Sequence, residues 1–201
     1  MALDLRGTIV VAADDPRVLD AVKDLPVHGV LTDPAHASGT SRVAEVAARA
    51  EFLSHDMVLN LQGDEPFLPR AAAQGAVDQV LSGADIGTAA QPLAASAWRN
   101  PHRVKVELDA RGRALRFYRT PAAPACRRPG AAWLHVGVYA CRPAVLRRWV
   151  GLAPIPDEDR ERLEQLRPLA HGWTIGVAVL PDPVPHGIDT EDDLRLAEAR
   201  L

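Results

Sequence analysis

Two short acidic words hold the carboxylates best placed to do chemistry. Asn60-Leu61-Gln62-Gly63-Asp64-Glu65-Pro66 sets an acidic pair in a Gly/Pro turn directly after the apolar run Met57-Val58-Leu59. Near the C-terminus, His186-Gly187-Ile188-Asp189-Thr190 follows a strand-like run and a proline-rich turn. Open α/β sheets gather their ligands at strand ends of this kind. Asp64 and Asp189 each follow a strand and a glycine, so both suit the same edge of a parallel sheet. Two carboxylates converging there can hold Mg2+, which takes oxygen ligands, commonly one or two carboxylates together with substrate phosphates. Turn stabilisation by Asp64 and helix capping by Asp189 explain the same pattern without a metal.

Other polar residues carry weaker signals. His135 alternates with Gly137 and Tyr139 on one face of an apolar run, which fits a core histidine as well as a ligand-facing one. Glu164 and Gln165 fit the solvated side of a helix, and Arg42 fits a surface cation at a helix start. Cys126 and Cys141 are too few for a disulfide framework or a zinc site. His28, His55, His102 and His171 have no metal-ligand spacing.

The elements that must position these residues alternate. Gly7 to Ala13 reads as a strand, with Asp14-Asp15-Pro16 starting a helix; Val27 to Thr32 and Asp56 to Leu61 read as further strands. Val43, Val46, Ala47 and Ala50, and then Ala73, Val77, Val80 and Leu81, keep helical spacing before a strand over Ala84 to Ala90. This alternation predicts βαβ units and a mostly parallel, doubly wound α/β sheet. From Arg103 the pattern changes to a hairpin, with Val104, Val106 and Leu108 alternating, a turn at Asp109 to Gly112, and a partner strand over Ala114 to Arg119. Thr120 to Gly130 is proline-rich and reads as a loop. Strands over Trp133 to Cys141 and Trp173 to Leu180, helices over Pro143 to Val150 and Glu158 to Leu169, and a final helix capped by Thr190 and Asp193 complete the chain. The 201 residues fit a single domain, 1–201, with the hairpin, loop and strand of about 100–142 as an excursion within it.

Composition removes several function classes. The net charge of −3 supplies no field for nucleic acid, and no apolar run approaches the ~20 residues of a membrane span. Met1 to Arg6 lacks the pattern of a signal peptide, so the expectation is a cytoplasmic protein.

Read in order, HASGTSR (36–42), NLQGDEP (60–66), VKVELDARGRALRFYR (104–119), HVGVYACR (135–142), LEQLR (163–167) and HGIDTEDDL (186–194) make a longer pattern. The chain resembles the 3-deoxy-manno-octulosonate (Kdo) cytidylyltransferases, or CMP-Kdo synthetases, of the sugar nucleotidyltransferase fold, from about Thr8 to the C-terminus. The resemblance implies transfer of CMP from CTP to Kdo with release of pyrophosphate, for lipopolysaccharide synthesis, by a homodimer. It implies Asp64 and Asp189 as catalytic Mg2+ ligands, and Ser38, Gly39 and Arg42 on the cytidine side. Gln62 would lie between nucleotide and sugar. His135, Tyr139, Glu164 and Gln165 would line the sugar pocket, with Lys105 supplying positive charge.

The sequence departs from the family pattern at its start. The word A-R-x-x-S-x-R-L-P-x-K, whose cations and amides cradle the triphosphate, is absent, and Val10 to Asp15 matches a strand that follows it. A central strand is then expected to be missing, exposing a sheet edge. Ser41, Ala13 and Tyr118 replace an acidic residue, a threonine and a serine. Three readings follow in order: a cytidylyltransferase whose recorded start omits a segment, a non-catalytic sugar-binding or regulatory homologue, and a nucleotidyltransferase for another acidic sugar.

Overall fold

The computed structural model describes residues 7–120, 132–185 and 187–200. Cys126, the Arg127-Arg128 pair, nearly all of the proline-rich loop and His186 lie outside the described residues. Eight strands and seven α-helices are described: β1 Val10–Ala13, α1 Pro16–Val22, β2 His28–Leu31, α2 Gly39–Ala47, β3 Val58–Leu61, α3 Arg70–Leu81, β4 Ile86–Gln91, β5 Lys105–Leu108, β6 Ala114–Tyr118, β7 Ala132–Cys141, α4 Pro143–Val150, α5 Pro156–Glu161, α6 Leu166–Ala170, β8 Ile175–Val179 and α7 Glu191–Glu198.

The helix starts follow local chemistry. Asp15 caps α1 by accepting from the Arg17 amide, with Pro16 in the first turn, where its missing N–H costs nothing. Ser38 caps α2 and Thr190 caps α7, each in a reciprocal capping box with the residue three positions on, Ser41 and Asp193. The helix expected over Glu158 to Leu169 is two short ones, α5 and α6, because Arg162 adopts a left-handed backbone that ends the first.

The strands form two sheets. β1 and β2 pair in parallel, and the other six run β6-β5-β7-β4-β8 with β3 also on β7. Parallel pairing holds in β1–β2 and in β4–β8, whereas β7 runs antiparallel to both β3 and β4. The hairpin of β5 and β6 breaks the βα alternation yet stays in the sheet, since β5 pairs with β7. Reversal of β7 therefore makes the sheet mixed, with Tyr139 opposite Asn60 of β3 and Thr88 of β4, and His135 opposite Ala90 of β4.

Both faces of this sheet are covered. All six residues of β4 are buried, as a central strand of an α/β sheet requires. Ala72, Ala76 and Val80 of α3 pack on Ala89, Val136, Val138 and Ala140. On the other face Ile86, Ala90 and Val106 meet Leu146 and Trp149 of α4 and Ala44 of α2. Burial of each large side chain here contributes about 1.5–3 kcal/mol. A smaller cluster of Val30, Val46 and Phe52 supports β1 and β2. Among the described residues no helix is long and apolar enough to cross a membrane.

Candidate active site

The turn after β3 and the segment before α7 meet through backbone contacts. Glu65 N–H donates to Gln62 O at 3.1 Å, closing the turn, and Ile188 N–H donates to Asp64 O at 2.7 Å, fastening the second acidic word to the first. Gly187 is required for this approach: a Cβ there would lie 2.8 Å from Asp64 O and 3.1 Å from the Glu65 carboxyl carbon. Asp64 and Asp189 consequently line one cleft of about 260 Å3. Thr190 and Asp193, rather than Asp189, form the cap of α7. The Asp189 carboxylate faces Arg103 instead, with Nη1 at 3.5 Å from Oδ2.

Glu65 stands behind the pair. Burial, followed by the charges of Asp64 and Asp189, pushes its carboxyl up to about 7, although it accepts a hydrogen bond from the Gly137 amide. A Cβ on Gly137 would lie 3.2 Å from Gln62 Cγ and 3.3 Å from Glu65 Oε1, so glycine lets the turn sit on β7.

Odd-numbered residues of β7 face the cleft side. The His135 ring lies 5.4 Å from Tyr139 and 5.3 Å from Phe117, and Tyr139 meets Trp149 edge-on at 6.1 Å. Burial lowers the His135 imidazole to about 3 and raises the Tyr139 phenol well above its usual range, so both rings are neutral near pH 7. Even-numbered Val136, Val138 and Ala140 face α3.

The segment between α5 and α6 supplies the far wall. Glu164 Oε2 accepts from the Thr40 amide at 3.2 Å, tying this wall to the first turn of α2. Gln165 is 3% exposed, and its Nε2 has no hydrogen-bond partner. Buried donors are almost always paired, so an orphaned amide lining a cleft is suited to an acceptor on a ligand.

Of the residues singled out in the sequence, Asp64, Asp189, Gln62, His135, Tyr139, Glu164 and Gln165 all line this cleft. Four others are placed differently. Ser38 is committed to the cap of α2. Gly39 lies beside the cleft wall, where an added Cβ would stand 4.0 Å from Gln62 Oε1. Arg42 bonds Thr32 and, at 2.7 Å, Asp14, so it ties the ends of β1 and β2 together. Lys105 is fully buried and outside the cleft lining. Its ammonium donates to the carbonyls of Asn100, Arg103 and Arg119 at 2.6, 2.8 and 2.6 Å. All three donors are used on backbone, so Lys105 shapes the loop carrying Arg103 instead of presenting charge to the cleft.

Sequence reasoning passed over Thr40, Glu65, Arg103 and Arg119, which also line the cleft. Glu65 and Arg119 sit inside the acidic and hairpin words, where the signal was available. Nothing local marks Arg103.

Comparison with known proteins identifies related chains. The cytidylyltransferase family model matches residues 2–175. A 3-deoxy-manno-octulosonate cytidylyltransferase of Gemmatimonas aurantiaca is 49% identical over 193 residues, covering 92% of this chain and 74% of the relative. The chain belongs to the 3-deoxy-manno-octulosonate cytidylyltransferase family. A second member, from Xanthomonas oryzae pv. oryzae, is 44% identical over 95% of this chain and 79% of its own length. The solved structure of a CMP:2-keto-3-deoxy-manno-octonic acid synthetase complexed with CTP superposes with a TM-score of 0.84 and 32% identity, covering 98% of this chain and 83% of that one.

Proposed function

We propose that this chain transfers CMP from CTP to 3-deoxy-D-manno-octulosonate, releasing pyrophosphate. The observation that carries the reading is one cleft in which the Asp64/Asp189 carboxylates face a polar wall of His135, Tyr139, Glu164 and Gln165. In the reaction the anomeric hydroxyl oxygen of the sugar forms a bond to the α-phosphorus of CTP. The bond from that phosphorus to the bridging oxygen breaks, and pyrophosphate leaves.

The residues fit Mg2+. Two aspartates on fastened loops offer hard oxygen donors, and Arg103 already places a cation against Asp189. No group of three or more His, Cys, Asp or Glu among the described residues forms a ready metal cage. Mg2+ keeps waters and phosphate oxygens as ligands and commonly takes only one or two protein carboxylates. Bound by Asp64 and Asp189, Mg2+ would neutralise phosphate charge and polarise the reacting phosphorus.

The protein's own part is positioning. His135, neutral and buried against Phe117, can orient sugar hydroxyls without adding charge. The Gln165 Nε2 can donate to a sugar oxygen or to the carboxylate. Gln62 bridges the acidic turn and the start of α2, where the nucleotide would lie. Effective concentration gained by such placement accounts for much of the rate in bimolecular transfers.

The wider reading is a cytoplasmic homodimer feeding lipopolysaccharide synthesis. The deciding experiment is CTP- and Kdo-dependent pyrophosphate release with Mg2+, beside Asp64→Ala and with a sialic acid in place of Kdo. Release that needs Kdo and is lost in Asp64→Ala supports the proposal. Release with the other sugar alone, or none from the folded chain, overturns it for these 201 residues.

A further inference from the structure

Arg103 lies at the edge of the acidic centre. Its backbone is pinned on both sides: its N–H donates to Asn100 O at 3.2 Å, and its carbonyl accepts from Lys105 Nζ at 2.8 Å. From this fixed turn the side chain, 15% exposed, reaches across to two carboxylates. Nη1 is 3.5 Å from Asp189 Oδ2 and Nη2 is 3.6 Å from Asp193 Oδ1. Its charge also acts on Glu65 and opposes the rise in that carboxyl's pKa.

Two features of this contact bear on its role. First, the separations exceed the ~2.7–2.9 Å of a tight charge-assisted hydrogen bond, so the pair is held by charge more than by a directed bond. Such a contact yields readily to a stronger cation. Second, Asp193 has its other oxygen, Oδ2, engaged by the Thr190 hydroxyl and by the amides of Asp189 and Thr190. Asp193 is thereby fixed as part of the α7 cap, whereas the Asp189 carboxylate, 39% exposed, faces the cleft.

We propose that Arg103 is a resident counter-cation of the acidic centre, holding Asp189 until a divalent cation displaces it and thereby setting how much cation the site requires. The inference rests on the reading of Asp64 and Asp189 as cation ligands. Without a bound cation Asp64 and Asp189 both repel the Glu65 carboxylate, and the guanidinium offsets that repulsion. When a divalent ion reaches Asp189, the same guanidinium becomes a neighbouring like charge, and its pairing must be given up. Arg103 thus favours a folded, cation-free state and opposes cation entry. A purely positioning arginine, one that aims Asp189 at the metal, would act in the opposite sense on affinity.

The test is Mn2+ binding to the protein alone, followed by water-proton relaxation enhancement, with Mn2+ as an oxygen-seeking probe. Wild type, Asp64→Ala, Arg103→Gln and Arg103→Lys are compared, each checked for folding by circular dichroism. Arg103→Gln should tighten Mn2+ about threefold to tenfold by removing a competing charge. Arg103→Lys, which keeps the charge, should stay within about twofold of wild type and guards against a packing effect in the glutamine variant. Asp64-dependent binding that Arg103→Gln leaves unchanged or weakens would overturn the counter-cation role while leaving the metal reading standing. Wild-type binding that is absent or indifferent to Asp64→Ala would overturn both.

Discussion

The Thr88 hydroxyl fixes the proton on His135. Thr88 Oγ1 donates to Val138 O at 2.7 Å, which uses its only hydrogen, and it lies 2.9 Å from His135 Nε2. It must therefore accept from an Nε2–H, leaving Nδ1 as the acceptor of the ring. A side chain that lines the cleft is so held in the Nε2–H tautomer, with Nδ1 as its acceptor.

Thr88→Val removes both halves of this relay. The Nε2–H and the Val138 carbonyl lose their partner, which should cost about 1–3 kcal/mol of stability. The ring is also freed to change tautomer, so KM for the sugar should rise while KM for CTP stays near wild type. Thermal melts and steady-state kinetics with each substrate varied in turn read the two effects separately.

The pH dependence of stability should carry a histidine component. Burial takes His135 from an ordinary value of 6.5 to about 3. Between those values the unfolded chain binds the proton and the native chain does not. The contribution is therefore fully present above pH 6.5 and is lost as pH falls toward 3. His135→Gln should flatten that part of the curve in urea melts taken across pH 3–7.

Glu65 acts with the opposite sign. Its carboxyl is raised from 4.5 to about 7, so the native chain holds a proton that the unfolded chain has lost. Stability from this group is present below pH 4.5 and declines as pH rises through 7 in cation-free protein. Glu65→Gln should abolish the decline, and wild type in excess Mg2+ should show less of it. Melts between pH 4.5 and 8, with and without the cation, test this.

Gly187→Ala puts a methyl group against the Asp64 carbonyl. The added Cβ would stand 2.8 Å from that backbone oxygen, which cannot rotate away. The two acidic loops must separate, and displacement of about 1 Å at a reacting centre can cost roughly a hundredfold in rate. We expect kcat to fall at least tenfold, with the far walls of the cleft intact and stability reduced modestly. Single-turnover kinetics at saturating substrate would show whether the loss is in the chemical step.

Lys105→Met should be damaging although Lys105 does not line the cleft. Three carbonyls would lose a charged donor inside the protein, at about 1–3 kcal/mol for each left unsatisfied. The loop of Arg103 and the backbone at Arg119 would loosen together. A melting temperature unchanged by the substitution would refute this account of the lysine.

Local sequence determined much of what the site is built on. The acidic turn after β3 and the box of Thr190 and Asp193 were legible because turns and caps are decided within a few residues. The strand and helix alternation, and the one-face grouping of His135, Gly137 and Tyr139, were legible because burial imposes its period on the chain. The motif words gave the family, which periodicity alone would not have reached.

Tertiary structure decided what the charges do. The family resemblance implies Arg42 and Lys105 as site cations, yet both are engaged elsewhere, one on Asp14 and Thr32 and the other on three carbonyls. Arg103 carries no local signal and still meets Asp189, because the loop before β5 and the segment before α7 are brought together only when the sheet is assembled. The antiparallel course of β7 between β3 and β4 was likewise invisible, since pairing direction and register depend on partners far away in the chain. Short-range preferences write the elements and their ends, whereas the partner of a buried charge is set by which ends the completed sheet brings within reach.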